Sequence, residues 1–276
     1  MTQRKPLILC ADDFALHEPA SRGIAELARQ GRLSATSAMV LSPRWAQDAA
    51  MLRELRGRLD VGLHLDWTSD FAQAAGHGLP LGRAMLRAAA GGFDRAAAQA
   101  VIERQLDAFE AHWQAPPDHI DGHQHVQQFA GIREALVQAL ARRYAARPPW
   151  LRISRVGAGQ AGLKGRVITV LGANALKKIA ENNGVTGTSS LWGVYDFSGD
   201  EARYAGLMDG WLARAPAGSA LMCHPAAQAE PGDEIGPARA VEFAYLGGAR
   251  FAEALARHGV ALARGAEALA GVRARA

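Results

Sequence analysis

Short apolar runs alternate with amphipathic stripes along this chain, and the two periods separate strands from helices. Leu7 to Ala11 reads as a first strand. Pro19, Ala20, Ile24, Leu27 and Ala28 form a helical stripe that Gly31 ends. Ala35 to Leu41 predicts a second strand, Trp45, Ala49, Leu52 and Leu55 a helix, and Asp60 to Leu65 a third strand. Residues 69–92 break the rhythm and predict a long loop with a short helix, placed as a lid. Ala98, Val101, Ile102, Leu106 and Phe109 mark the next helix. A histidine-rich strand follows Pro116-Pro117, then a helix on Ile132, Leu136, Val137 and Leu140, and a strand at Leu151 to Ile153. Residues 156–199 are glycine-rich, with Val167 to Ile179 predicted helical. A helix on Leu207, Trp211 and Leu212, a strand from Ser219 to Cys223, a helix through Phe251 and Leu255 and a strand at Val260 to Leu262 complete the pattern.

About seven β-α alternations predict a parallel sheet closed, or nearly closed, on itself. The fold class expected is α/β: a single-domain distorted (β/α) barrel, TIM-like, with loop insertions at the C-terminal face. One domain is expected over residues 1–276, with a core at about 7–262.

Polar clusters sit where the apolar runs stop. Asp12-Asp13 follows Leu7-Ile8-Leu9-Cys10-Ala11, His64 follows Val61-Gly62-Leu63, and His224 follows Ala220-Leu221-Met222-Cys223. The segment His119-Ile120-Asp121-Gly122-His123-Gln124-His125 repeats polar residues with period two. On an extended segment these would share one face. Strand C-terminal ends form one face of an α/β barrel, so distant segments would meet in one cavity. A cation relieves the repulsion of adjacent carboxylates, and alternate buried histidines need partners. Asp, His and His with open positions suit Zn²⁺, and also Mg²⁺, Mn²⁺ or Fe²⁺. Spacing leaves open whether His123 or His125 is a ligand, while His119 and Asp121 are candidates for the second layer. His17, His77, His112 and His258 lack such placement and are expected at the surface.

Composition narrows this little further. Hydrophobic residues make up 49 % of 276, ordinary for a globular protein. No apolar run approaches the ~18 residues of a membrane span. The start of the chain, Met1 to Pro6, lacks a signal-peptide pattern, and Cys10 and Cys223 suggest no disulfide framework, so a cytoplasmic location is expected. A net charge of +4 with scattered arginines and no recognised motif predicts no nucleic-acid partner. It leaves room for peripheral contact with a membrane glycolipid.

Four segments together resemble the YdjC-like carbohydrate deacetylases: Ala11-Asp12-Asp13-Phe14, Gly62-Leu63-His64-Leu65, His119 to Val126, and Met222-Cys223-His224-Pro225-Ala226. Gly31 to Val40 also resembles the family. The resemblance implies removal of an acetyl group from an N-acetylated sugar, with one divalent metal ion, Mg²⁺ or Zn²⁺. It implies Asp13, His64 and His123 as metal ligands, Asp12 as the base and His224 as the acid. His125 would be a second-layer or alternative ligand, and a homodimer is suggested. The family has glycine where this chain has Ala15. Trp67, Trp192 and Tyr195 are candidate stacking platforms for sugar rings, and Arg152 a candidate substrate contact. Competing readings are another mononuclear hydrolase, acting on a phosphoester or a non-sugar amide, and a non-catalytic sugar-binding protein.

Overall fold

A computed structural model describes residues 4–158, 160 and 162–270. In chain order it contains β1 (Lys5–Phe14), α1 (Glu18–Arg29), β2 (Ala35–Ala38), α2 (Trp45–Arg53), β3 (Asp60–Leu65), α3 (Asp70–Ala74), α4 (Leu81–Ala89), α5 (Arg95–Trp113) and β4 (His119–Gly122). A 3₁₀ turn (His123–Gln128) follows, then α6 (Ile132–Arg143), β5 (Trp150–Leu151), α7 (Gly162–Val170), α8 (Ala173–Asn182) and β6 (Leu191–Trp192). The last part holds α9 (Glu201–Arg214), β7 (Ala220–Cys223), α10 (Gly236–Gly247), α11 (Ala249–Arg257), β8 (Val260–Leu262) and α12 (Gly265–Ala268).

The strands pair in the order β5-β4-β3-β2-β1-β7-β6, all parallel, and β8 joins the start of β1. The sheet also curls toward itself. Leu151 N–H donates to Thr186 O at 2.9 Å and Thr188 N–H to Leu151 O at 2.9 Å, so the segment entering β6 lies beside β5. The result is a distorted TIM-like barrel. Its outer layer of helices packs on Leu7, Leu9 and Ala11 of β1 and Val61, Leu63 and Leu65 of β3. The alternate residues of β1, Ile8 and Cys10, belong to a second apolar cluster with Ala35, Trp150, Ala220 and Leu269. Asp12 continues that alternate set.

The N-terminal end of the barrel is closed by Asp60. Its carboxylate accepts from Trp150 Nε1 at 3.1 Å, Arg264 Nε at 2.6 Å and the Gly265 N–H at 2.7 Å. This ties the start of α12 against Trp150, at the end of the barrel opposite the strand C-termini.

Three expectations need correction. The histidine-rich strand ends at Gly122, because Gln124 and His125 take left-handed φ of 52° and 63°. The helix expected over Val167 to Ile179 is two helices, α7 and α8. Gly172 breaks it at φ 129°, where a Cβ would lie 2.2 Å from Gln128 O. Finally, residues 69–92 hold two helices, α3 and α4, where a long loop with one short helix is expected. Beyond these, α10 and β6 carry no clean apolar period and escape the sequence pattern. The inward face of α10 includes Arg239 and Glu242, both buried.

Candidate metal centre and active site

The polar residues of the barrel interior stack in layers from the closed end upward. Lowest is His119, whose ring stacks on Trp150 with centroids 4.2 Å apart. Gly62 on β3 makes that possible: a Cβ there would lie 2.4 Å from the His119 ring. Ser37 on β2 sits 3.3 Å from His119 Nε2 and donates to Asp121 Oδ2 at 2.5 Å. Cys10 Sγ adjoins Ser37 at 3.3 Å, and burial first, then Asp12 and Asp121, push its thiol well up.

Asp121 organises the next layer. Its Oδ1 accepts from His64 Nδ1 at 2.6 Å, while Arg152 Nη2 lies 3.2 Å from Oδ2. Arg152 also forks onto Asp12, at 2.6 and 2.7 Å to its two oxygens. Burial opposes ionisation of Asp121, yet Arg152 and His64 hold it well below the usual carboxylate range. Arg152 is fully buried, so the expected substrate contact is a side chain locked between two carboxylates.

At the open end the chain brings Asp13, His64 and His123 together. One donor atom from each lies within 4.8 Å of the others. His64 Nε2 is 3.4 Å and His123 Nδ1 3.1 Å from Asp13 Oδ1. Adjacent strand residues normally point to opposite faces; Asp13 escapes this because its φ is 66°. The other oxygen of Asp13 accepts from Arg239 Nη2 at 2.8 Å. Burial works against its charge, but Arg239 and the hydrogen bonds from His123 and His64 hold Asp13 well below the usual range. Burial also opposes a charge on His64, yet Asp121 and Asp12 keep its pKa up at about 10. The carboxylates thus demand a cation at His64. With Nδ1 committed to Asp121, Nε2 is the nitrogen left to face a metal, the carboxylate–histidine pairing that orients such ligands. The donor set therefore fits a divalent ion. A second cluster, Asp12, His64 and Asp121, already has Arg152 as its cation.

His125 is not part of that donor group: its Nδ1 lies 3.0 Å from Ser154 Oγ, and burial, with Arg152, holds its pKa well below the usual imidazole value. His224 Nε2 is 3.7 Å from Asp12 Oδ2. Burial lowers the His224 pKa to about 4, so its ring is neutral at pH 7. Phe197 packs edge-on against the His224 ring at 5.1 Å, and the His224 backbone N–H donates to Glu242 at 2.6 Å.

Arg239, Asp233, Glu242, Ser37 and Ser154 had no sequence signal, since each acts through a partner far along the chain. His17 is not merely a surface residue. Its Nε2 lies 3.1 Å from Asp233, which accepts from Arg239 Nε at 2.6 Å, and its Nδ1 caps α1. Trp67, Trp192 and Tyr195 are all buried: Trp67 lies edge-on to Phe93, Trp192 Nε1 donates to Ser190, and Tyr195 donates to Glu242. No ring face is open for stacking a sugar.

Comparison with known proteins agrees with this architecture. The family model described as YdjC-like protein matches residues 6–257. Chitooligosaccharide deacetylase of Serratia marcescens is 33 % identical over 152 residues, covering 49 % of this chain and 56 % of that protein. The Yersinia pestis (strain Pestoides F) protein of the same name is 36 % identical over 144 residues, covering 50 % and 56 %. The aligned part thus spans little more than half the length of these curated relatives. Among solved structures, a candidate cellobiose-phosphate cleavage protein from Enterococcus faecalis V583 superposes with a TM-score of 0.71 at 20 % identity, covering 96 % of this chain and 99 % of that one. The Xyl-CE4 domain of a xylanase from the Trinervitermes trinervoides hindgut metagenome gives 0.52 at 7 % identity, covering 98 % and 92 %. At those identities the two structures speak for the fold alone. The family match extends over most of the sequence, from the start of β1 to the end of α11, and the chain belongs to the YdjC-like family.

Proposed function

We propose that this protein is a metal-dependent hydrolase that removes the acetyl group from an N-acetylated amino sugar. The observation that carries the reading is the convergence of Asp13, His64 and His123 at the barrel mouth, with Asp12 and His224 3.7 Å apart in the same chamber. Asp13 Oδ1, His64 Nε2 and His123 Nδ1 would hold the ion. Imidazole donors suit Zn²⁺, Mn²⁺ or Fe²⁺ better than Mg²⁺, which prefers oxygen. A divalent ion there polarises an amide carbonyl and lowers the pKa of water.

The chain's own groups divide the proton transfers. Asp12 takes the proton of the attacking water, and the Arg152 fork fixes the direction in which its free lone pairs point. His224 delivers a proton to the departing amine. Because its ring is neutral at rest, that proton must be acquired during the cycle, and Asp12 is the neighbouring carrier. Phe197 and the Glu242 bond hold His224 in place. The relatives' name makes short oligomers of N-acetylglucosamine the first substrates to test.

Acetate release and metal content should be measured in parallel. Asp12→Asn is expected to lose ~10²–10⁴-fold in turnover while keeping its metal. His64→Ala is expected to lose the metal. Metal retained in both, or unimpaired turnover in Asp12→Asn, would overturn these roles.

A further inference from the structure

We propose that the rim of the barrel mouth is a docking surface for an anionic lipid bilayer. Among the described residues, the exposed large hydrophobic side chains are Leu86, Val167 and Val170, at 70 %, 36 % and 82 % exposure. All three lie in the two insertions at the C-terminal face. Leu86 projects from α4, whose Ala84 is buried in the core. Val167 and Val170 project from α7, whose Ile168 packs on Leu191, Val194 and Met222.

These two helices flank the same turn. Phe93, just after α4, donates its N–H to Ala130 O at 2.8 Å. Gln128 donates its side-chain amide to the Ile168 carbonyl of α7. The turn between them, His123–Gln128, carries His123 of the donor group, so both helices lie on the side of the barrel that holds the donors.

Charge follows the same distribution. From Arg155 to Ala180 the chain carries Arg155, Lys164, Arg166, Lys177 and Lys178 and no Asp or Glu. Since the whole chain has a net charge of +4, the remainder is nearly neutral. On α4, Arg83 and Arg87 are exposed beside Leu86 without an acidic residue in the helix. No ion pair holds Arg83, Arg87, Arg166 or Lys178 among the described residues, whereas Arg142 and Arg143 on α6 are held by Glu103, Asp107 and Glu110. Exposed cations outside any ion pair among the described residues, interleaved with isolated apolar side chains, suit a fluid anionic surface. A protein partner would ask for a contiguous, complementary patch.

The test is co-sedimentation of the full chain with phosphatidylcholine vesicles, with and without phosphatidylglycerol. Wild type is expected to pellet with the anionic vesicles only and to be released by salt. Leu86→Asp/Val170→Asp and Arg83→Glu/Arg166→Glu are expected to partition at least ~tenfold more weakly, with acetate release from a soluble oligomer unchanged. Wild type remaining in the supernatant, or variants that pellet as it does, would overturn the proposal. Pelleting needs no turnover, so a protein that docks but releases no acetate fails only the deacetylase reading.

Discussion

Asp12 and Asp13 serve one chamber because a single backbone angle departs from the strand. Ala15 repeats that departure with φ 71°, where an L side chain is disfavoured by roughly 1–2 kcal/mol. The family's glycine at this position would be unstrained. Ala15→Gly should therefore match wild type or exceed it by up to ~1 kcal/mol in chemical denaturation. A lower midpoint would show that the methyl's packing outweighs the strain. Glu242 offers a pH test. Burial raises its pKa from 4.5 to about 7 despite the bonds from His224 and Tyr195. The folded state then holds a proton that the unfolded chain has released, so this group's stabilisation is full below pH 4.5 and is lost as pH rises through about 7. Wild type should lose a few kcal/mol at most across that window relative to Glu242→Gln, read from melting curves at several pH values. Parallel curves would refute the assignment. Residues of this kind are invisible in sequence. Asp13 and His64 stand out because each ends an apolar run, whereas Arg239 and Glu242 are ordinary members of a helix until β1 and β7 arrive beside them.

At the scale of elements, β3 and β4 build the site as a pair. Gly62 leaves the space that the His119 ring fills, and His64, two residues on, receives Asp121 from β4. Gly62→Ala should cost about 1–3 kcal/mol by overpacking and also weaken metal binding, through the displaced His119–Ser37–Asp121 chain. Calorimetry of metal binding alongside denaturation checks both; a stability loss with unchanged affinity would separate the lower layer from the site. The period-two spacing from His119 to His125 was legible as an extended face only as far as Gly122. Beyond it, two left-handed residues send His123 to Asp13 and His125 to Ser154. Spacing could not choose between those histidines because the choice lies in the turn, not in the strand.

Over the whole molecule, the closed end tied by Asp60 and the open end carrying the donors give the barrel a single chemical face. An ion that binds the folded state alone must stabilise it, by ~2.7 kcal/mol at a hundredfold excess over Kd. Divalent metal should raise the melting temperature, a chelator should lower it, and His64→Ala should respond to neither. A chelator-insensitive melting temperature in the wild type would contradict the metal centre. The alternation of apolar runs and amphipathic stripes determined the barrel class, and polar residues ending those runs marked most of the site, because periodicity and strand-end position are local properties of a chain. Tertiary structure alone decided which histidine meets Asp13, that Arg152 and Arg239 lock the carboxylates, and that the expected sugar platforms are buried. Those facts depend on distances between segments up to 226 positions apart, which no local pattern encodes.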